Sequence, residues 1–320
     1  MAPDDAGPRS DGSSGGGDAS ADATPDARSD AGPDASAPAC SGPPFILATK
    51  QSPTAIALTA DRIYWSNDRS IRSIAKSGGP VVDLAVAGDS WGIAVDATRV
   101  YWSDRNGPLS SVPAQGGPTT VLASSTFGDG LVADDANVYW GDNATSVWSV
   151  PKTGGAPRQL AQLQASPGDV AVDSSFVYWT NWGSGDVARA PLTGGATATL
   201  VGWGASSPYK LAVDDQYVYW TAQGTPDTGV YRAFKPGTGP NTQIASGGAP
   251  NGIALDDQFV YWTDFAVGNV WKTPKGGGSS IPVATGQTYV RAVAVDDGCV
   301  YWTTDCCGEP DSGYIVKGPK

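Results

Sequence analysis

Residues 45–320 read as a succession of short apolar runs separated by turn residues. Gly92-Ile93-Ala94-Val95, Leu211-Ala212-Val213 and Ile253-Ala254-Leu255 are of strand length, and such runs lead into tight Asp-containing turns such as Asp214-Asp215-Gln216. A Val-Tyr-Trp strand follows, then a short strand (Val147-Trp148-Ser149-Val150, Val270-Trp271-Lys272-Thr273), a Gly-Gly turn (Gly154-Gly155, Gly194-Gly195) and a last strand (Arg158-Gln159-Leu160-Ala161). β-Branched and aromatic residues suit such pleated, half-buried positions. We letter these strands a to d, with a innermost.

The unit repeats. Tyr-Trp pairs stand at Tyr64-Trp65, Tyr101-Trp102, Tyr139-Trp140, Tyr178-Trp179, Tyr219-Trp220, Tyr261-Trp262 and Tyr301-Trp302, with steps of 37, 38, 39, 41, 42 and 40 residues. Periods near 40 holding several short strands are the signature of propeller blades. The prediction is an all-β, seven-bladed β-propeller with four-stranded antiparallel blades. Blade seven runs out after strand c at Lys320, while Phe45-Ile46-Leu47-Ala48 has the pattern of a strand d with no blade of its own. The N-terminal strand should therefore pair with the C-terminal blade and close the ring, removing exposed sheet edges.

Tyr-Trp-Thr-Asp at Tyr261 to Asp264, Tyr-Trp-Ser-Asp at Tyr101 to Asp104, Tyr-Trp-Thr-Asn at Tyr178 to Asn181 and Gly-Ile-Ala-Val-Asp at Gly92 to Asp96 resemble the YWTD repeat of low-density-lipoprotein-receptor-type propellers. The likeness covers about residues 45 to 320. It implies a propeller that binds protein ligands, although that family usually has six blades and only three repeats here, at Asp104, Asp142 and Asp264, end in Asp. Propeller enzymes of the streptogramin-lyase and lactonase types resemble the same fold. The former rely on a His that is absent, and the latter's metal site uses Glu, Asn and Asp, whereas Glu309 is the only Glu in this chain.

Composition narrows the chemistry. The chain has 320 residues, a net charge of -12, no His, and no Met beyond Met1. Without His there is no Ser-His-Asp or Cys-His pair, no imidazole base and no His-ligated metal. With 20 Lys and Arg against 32 Asp and Glu and no long basic run, nucleic acid is excluded as a partner. No apolar run reaches the ~20 residues of a membrane span, and no leader pattern opens the chain. Residues 1–44, nearly all Asp, Ala, Ser, Gly and Pro, read as a disordered spacer ahead of the 45–320 propeller. Such spacers resemble those following the lipidated cysteine of bacterial lipoproteins, which implies an extracytoplasmic protein, secreted, periplasmic or surface-tethered.

Repetition separates scaffold from site. Tyr-Trp pairs placed identically in every blade indicate packing, and the Asp pairs (Asp134-Asp135, Asp214-Asp215, Asp256-Asp257, Asp296-Asp297) indicate turn capping rather than Ca²⁺ or catalytic carboxylates. The d–a and b–c loops vary, and both lie on one face of a propeller. At the start of strand a, Trp91, Asp129, Asp169, Tyr209, Lys210, Asn251 and Arg291 should ring the channel mouth, with Trp182, Trp203, Phe265 and Tyr289 on loops nearby. Such a ring suits a small polar ligand or peptide; alternatively, Asp169 and Lys210 merely pair across adjacent blades and the aromatics cover blade ends. No metal or cofactor is expected.

The function expected is a non-enzymatic binding module, a monomer taking a protein, peptide or glycan ligand. The alternative is a propeller hydrolase or lyase using Asp129, Asp169 or Lys210, with or without a divalent ion. Four cysteines suggest disulfides. Cys40, in a c–d turn, and Cys299, at the start of strand b, share a face and form the expected bridge, although Cys299 would also serve as a small buried hydrophobe; Cys306 and Cys307 form a vicinal bridge or stay free thiols.

Overall fold

The computed structural model describes residues 40–126, 128–201, 207–237, 239–305 and 312–320. They form seven four-stranded antiparallel sheets, with no helix among the described residues. Blade one is made of strands Ala55–Leu58, Arg62–Ser66, Ser70–Ala75 and Val82–Val86. Blade seven takes Val290–Val295, Cys299–Thr304 and Tyr314–Pro319 from the C-terminal end and its outermost strand, Phe45–Thr49, from the N-terminal end. That strand pairs Phe45 with Lys317 and Thr49 with Tyr314, with a bulge at Leu47, so the expected ring closure is observed. A Cys40–Cys299 disulfide, Cα atoms 5.4 Å apart and 259 residues apart in sequence, fastens the closing segment to strand b of the blade it completes. Cys306 and Cys307 lie outside the described residues, as do residues 1–39 of the expected spacer.

The Tyr-Trp pair builds the core because neighbouring residues on a strand point to opposite faces of the sheet. Every blade thus offers a Tyr to one neighbour and a Trp to the other. Tyr64 packs in one cluster with Trp102, Tyr101 with Trp140, Tyr139 with Trp179, Tyr178 with Trp220, Tyr219 with Trp262, Tyr261 with Trp302, and Tyr301 with Trp65. All fourteen rings are at most 2 % exposed, so each interface buries two large aromatics. At about 25 cal/mol per Å² this is the main force holding blade to blade.

In six blades the first Asp of the a–b turn caps it, and in five of these it also fastens the interface with the next blade on the constant-loop face. Asp96 Oδ1 accepts from the backbone amides of Thr98 and Arg99 at 2.8 and 2.9 Å, while its Oδ2 accepts from the Tyr101 hydroxyl at 2.9 Å and from Lys152 Nζ, on the next blade, at 2.8 Å. The expected turn capping is therefore present, together with a cross-blade ion pair the repeat pattern did not suggest. The second Asp of the pair, as at Asp135, Asp215, Asp257 and Asp297, faces solvent.

Candidate functional site

The first residues of strand a reach the axis from every blade. Trp91, Asp129, Asp169, Tyr209, Lys210, Asn251 and Arg291 all line one central cavity of about 370 Å³, together with Thr54 of blade one. Below them the wall is apolar, formed by Ile56, Ile93, Val132, Val172, Val213 and Ile253. The site is thus a funnel: polar and aromatic at its mouth, aliphatic in its throat, and assembled by all seven blades.

A hydroxyl after the Tyr-Trp pair sets the inner ring in six of the seven blades. Thr221 Oγ1 accepts from the Lys210 amide of its own blade at 3.1 Å and donates to the Asn251 carbonyl of the next at 2.9 Å. Thr263 does the same between Gly252 and Arg291, at 2.8 and 2.7 Å. Thr180 links Asp169 to Tyr209, at 3.1 and 3.3 Å. These buried hydroxyls satisfy backbone groups that would otherwise be orphaned near the axis. Blade three has Gly141 at this position, where the backbone of blade four approaches so closely that a Cβ would fall 2.4 Å from the Pro167 carbonyl oxygen.

Lys210 spans the mouth. Its ammonium donates to Asp169 Oδ1 on blade four at 3.1 Å and to the Asp129 carbonyl on blade three at 3.0 Å, while Asp169 Oδ2 accepts from the Leu211 amide at 2.9 Å. Burial pushes the Asp169 carboxyl up, with the Lys210 charge pulling against it. Burial also disfavours the charged amine, but the Asp169 carboxylate outweighs it and raises Lys210. The pair that the sequence offered as the alternative to a ligand site is therefore formed. It shares the cavity with the remaining mouth residues, so pairing and lining the channel are not exclusive.

Further out, the residue four after each repeat Tyr forms a second ring, which the sequence reading found only where it was aromatic. On blade two it is Arg105, whose Nε lies 3.3 Å from Oδ1 of Asp129 and whose guanidinium sits 4.3 Å from the centre of the Trp91 ring. Asp129 is only 2 % exposed, so Arg105 neutralises a desolvated carboxylate. On blade four it is Trp182, stacked on Tyr209 at 5.5 Å; on blade five Gln223, donating to the Pro250 carbonyl at 3.0 Å. On blade six Phe265 meets Tyr289 at 5.1 Å and Arg291 at 5.5 Å, and on blade seven Asp305 accepts from Arg291 at 2.8 Å. Alignment on the Tyr shows this ring at once, because every member has the same offset. The signal is weak in any single blade, since the residue type differs in each.

Two glycines permit this closeness. A Cβ on Gly168 would lie 2.6 Å from Trp182 Nε1, and one on Gly130 would lie 2.5 Å from both Cα and Oδ1 of Asp169. Tyr289 is left-handed at φ 44° and 41 % exposed, and Ser52, Ser166 and Ser207 hold the same place before strand a in their own blades. A bulky residue in that conformation is strained, a feature that gathers at functional sites. Trp203 lies outside the described residues, as does Glu309. Among the described residues no three Cys, Asp or Glu side chains converge as a metal site.

No family model and no curated protein sequence matches the chain. Solved structures do match it. Virginiamycin B lyase from Staphylococcus aureus is similar with a TM-score of 0.71 and 11% identity, over 87% of this chain and 98% of that one. BamB from Moraxella catarrhalis gives 0.60 at 15% identity over 86% and 99%, and a chain of the nidogen/laminin complex gives 0.55 at 20% identity over 65% and 85%. Identities this low show the fold alone. The neighbours include a lyase and a protein held in a complex, and a shared fold does not choose between those activities.

Proposed function

We propose that this protein is a non-enzymatic binding module whose ligand enters the funnel on the variable-loop face. The observation that carries the reading is the convergence of Trp91, Asp129, Asp169, Tyr209, Lys210, Asn251 and Arg291, from six blades, on one cavity of about 370 Å³ with an aliphatic throat. Concave sites with apolar walls and a few directed polar groups are the general form of a ligand pocket. The repeat sequence supports kinship with YWTD-type propellers, and the long-range disulfide supports an extracytoplasmic location.

Hydrolase or lyase chemistry is less well supported. Asp129 and Asp169 are both engaged by cations, leaving no poised general base among the mouth carboxylates. A histidine-to-alanine variant of virginiamycin B lyase is described as catalytically inactive, and this chain contains no His.

A screen of peptides, glycans and small molecules against the full chain tests the proposal. Hits should lose about 1 to 3 kcal/mol of binding in Trp91→Ala, Tyr209→Ala and Arg291→Ala, with melting temperatures close to the parent's. Hits indifferent to all three changes would move the site elsewhere. Turnover of a hit that is abolished by Asp169→Asn would establish the enzyme reading instead.

A further inference from the structure

The distribution of hydrogen-bonding capacity around the mouth is lopsided, and this bears on what the funnel takes. Both mouth carboxylates already face a cation: Asp169 receives Lys210 on one oxygen and the Leu211 amide on the other, and Asp129 receives Arg105 on Oδ1. The donors are not exhausted. Lys210 gives two protons, to Asp169 and to the Asp129 carbonyl, and an ammonium has three. Arg291 spends Nε and Nη2 on Asp305 Oδ2, which leaves Nη1. The Asn251 side chain, between them on blade six, makes no hydrogen bond within the described residues.

These three donors come from consecutive blades, five, six and seven, and line the same cavity. Tyr209, bearing Trp182, flanks one end of the arc, and Phe265 with Tyr289 flanks the other. Beneath the arc, Val213, Ile253 and Val293 begin the apolar throat. A cationic ligand would find every mouth carboxylate named above already neutralised. A neutral apolar ligand would leave the spare N–H groups without acceptors once it excluded water, which is costly. A carboxylate satisfies them, because it presents two oxygens with about four lone pairs to donors from Arg, Asn and Lys.

Resting on the channel-mouth reading above, we infer that the ligand is a small amphipathic carboxylate: its anion is held by Arg291, Asn251 and Lys210, and its apolar or aromatic body fills the throat. The anion lies at the mouth because all three donors do, and the body points inward because the wall there offers no polar side chain. Desolvation at the rim makes each charge-assisted bond stronger than its counterpart in water.

The test uses three probes of one shape, 3-phenylpropionate, its uncharged amide and 3-phenylpropylammonium, titrated into the full chain labelled with ¹⁵N at tryptophan. The indole resonances of Trp91 and Trp182 report on the mouth from blades two and four. The expected result is that the carboxylate shifts both and binds about tenfold or more tightly than the amide. Arg291→Gln and Asn251→Leu should remove that advantage. The Asn251 side chain holds nothing in place, so this variant keeps the fold and the test stays readable if Arg291→Gln does not. Equal binding of the amide, or tighter binding of the ammonium, overturns the carboxylate assignment while leaving a ligand in the channel. If no probe moves either indole at millimolar concentration, the assignment falls, and the channel-mouth reading is then decided by the wider screen.

Discussion

Lys152 of blade three places its ammonium 2.8 Å from Oδ2 of Asp96 on blade two, the oxygen that also accepts from the Tyr101 hydroxyl. The same Lys–Asp–Tyr clasp joins Lys235 to Asp173, Lys275 to Asp214, Lys320 to Asp256 and Lys76 to Asp296. The two interfaces that lack it differ in an informative way. Between blades one and two both partners are gone, Thr59 standing for the Asp and Ala114 for the Lys. Between blades three and four Asp134 is kept, still bonded to Tyr139 at 2.6 Å, but Leu192 replaces the Lys.

The clasps predict a stability dome in pH. Burial opposes ionisation of Asp173 and Asp256, but Lys235 and Lys320, with turn amides and Tyr hydroxyls, outweigh it and hold both carboxyls at about 2. Asp96, Asp134, Asp214 and Asp296 are lowered too. A carboxyl depressed in the fold stabilises it above the unfolded value of ~3.9, and that contribution is lost as pH falls through the folded value. Asp169, raised by burial, acts in the opposite sense and is outnumbered. On the alkaline side burial and the Asp134 bond push Tyr139 up to about 12, so its contribution is full below ~10 and is lost as pH rises from there through about 12. Chemical denaturation across pH 2 to 12 should show both limbs. A flat profile between pH 5 and 2 would contradict the acid limb.

Leu192→Lys should supply the missing cation. The Leu192 side chain is half-buried against the cluster around Tyr139, a setting in which a Lys stem packs along apolar surface while its ammonium reaches the carboxylate. Stability at pH 7 should rise by about 0.5–1 kcal/mol, with a smaller gain at pH 2, because uptake of a proton by Asp134 removes the ion pair. The reverse change, Lys152→Met, should lose about 1–2 kcal/mol by leaving Asp96 without its cation. Urea midpoints of the two variants at both pH values measure this.

Ring closure predicts a graded loss. Cys40→Ala with Cys299→Ala frees a loop of more than 250 residues, worth about 5–6 kcal/mol in the chain-entropy model, yet leaves the Phe45–Thr49 ladder intact. Deleting Phe45 to Lys50 also uncovers the Tyr314–Pro319 edge, and should add aggregation to the loss of stability. Size-exclusion chromatography and thermal melts separate the outcomes. A bridge-free variant that melted like the parent would show the disulfide to be ornamental.

The fold was legible because its signal is repeated seven times: Tyr and Trp must occupy successive positions to face two neighbours, and an Asp caps the a–b turn in six blades with Thr59 doing so in blade one, so the period survives divergence elsewhere. The inner ring was legible for the same reason, as a fixed offset from the Tyr locates Trp91 or Arg291 whatever their chemistry. Pairings across blades were not. Nothing local marks Lys152 as the partner of Asp96, or Arg105 as the partner of Asp129, because each contact joins different repeats and depends on the handed order of the ring. Among the aromatics, Trp182 and Phe265 drew notice by type, while Arg105, Gln223 and Asp305 at the same offset did not.

The Asp169–Lys210 pair provides the sharpest energetic test of how the mouth is built. Lys210→Met removes a cation that a partly buried carboxylate needs, and the Asp169 oxygens keep only the Leu211 amide at 2.9 Å. Breaking one side of a fully buried pair typically costs about 3–5 kcal/mol, and this pair is only partly buried, so the loss should lie at or below the lower end of that range. The carboxyl escapes part of that by taking up a proton, which its raised pKa already favours, so the loss should shrink below neutral pH. Asp169→Asn alone strands the ammonium against an amide and loses the Leu211 contact to a carboxylate. The double variant Asp169→Leu with Lys210→Met removes both charges and fills the mouth with apolar groups, leaving the Leu211 amide and the Asp129 carbonyl to pair with water. Its stability should return to within about 1–2 kcal/mol of the parent, a coupling energy of the size expected for groups in contact. The same double variant should still lose affinity for any ligand that Lys210 contacts. Stability recovered without binding would show that the charges are kept for recognition and not for the fold; stability that stayed as low as in the single variants would show that the pair holds blades four and five together.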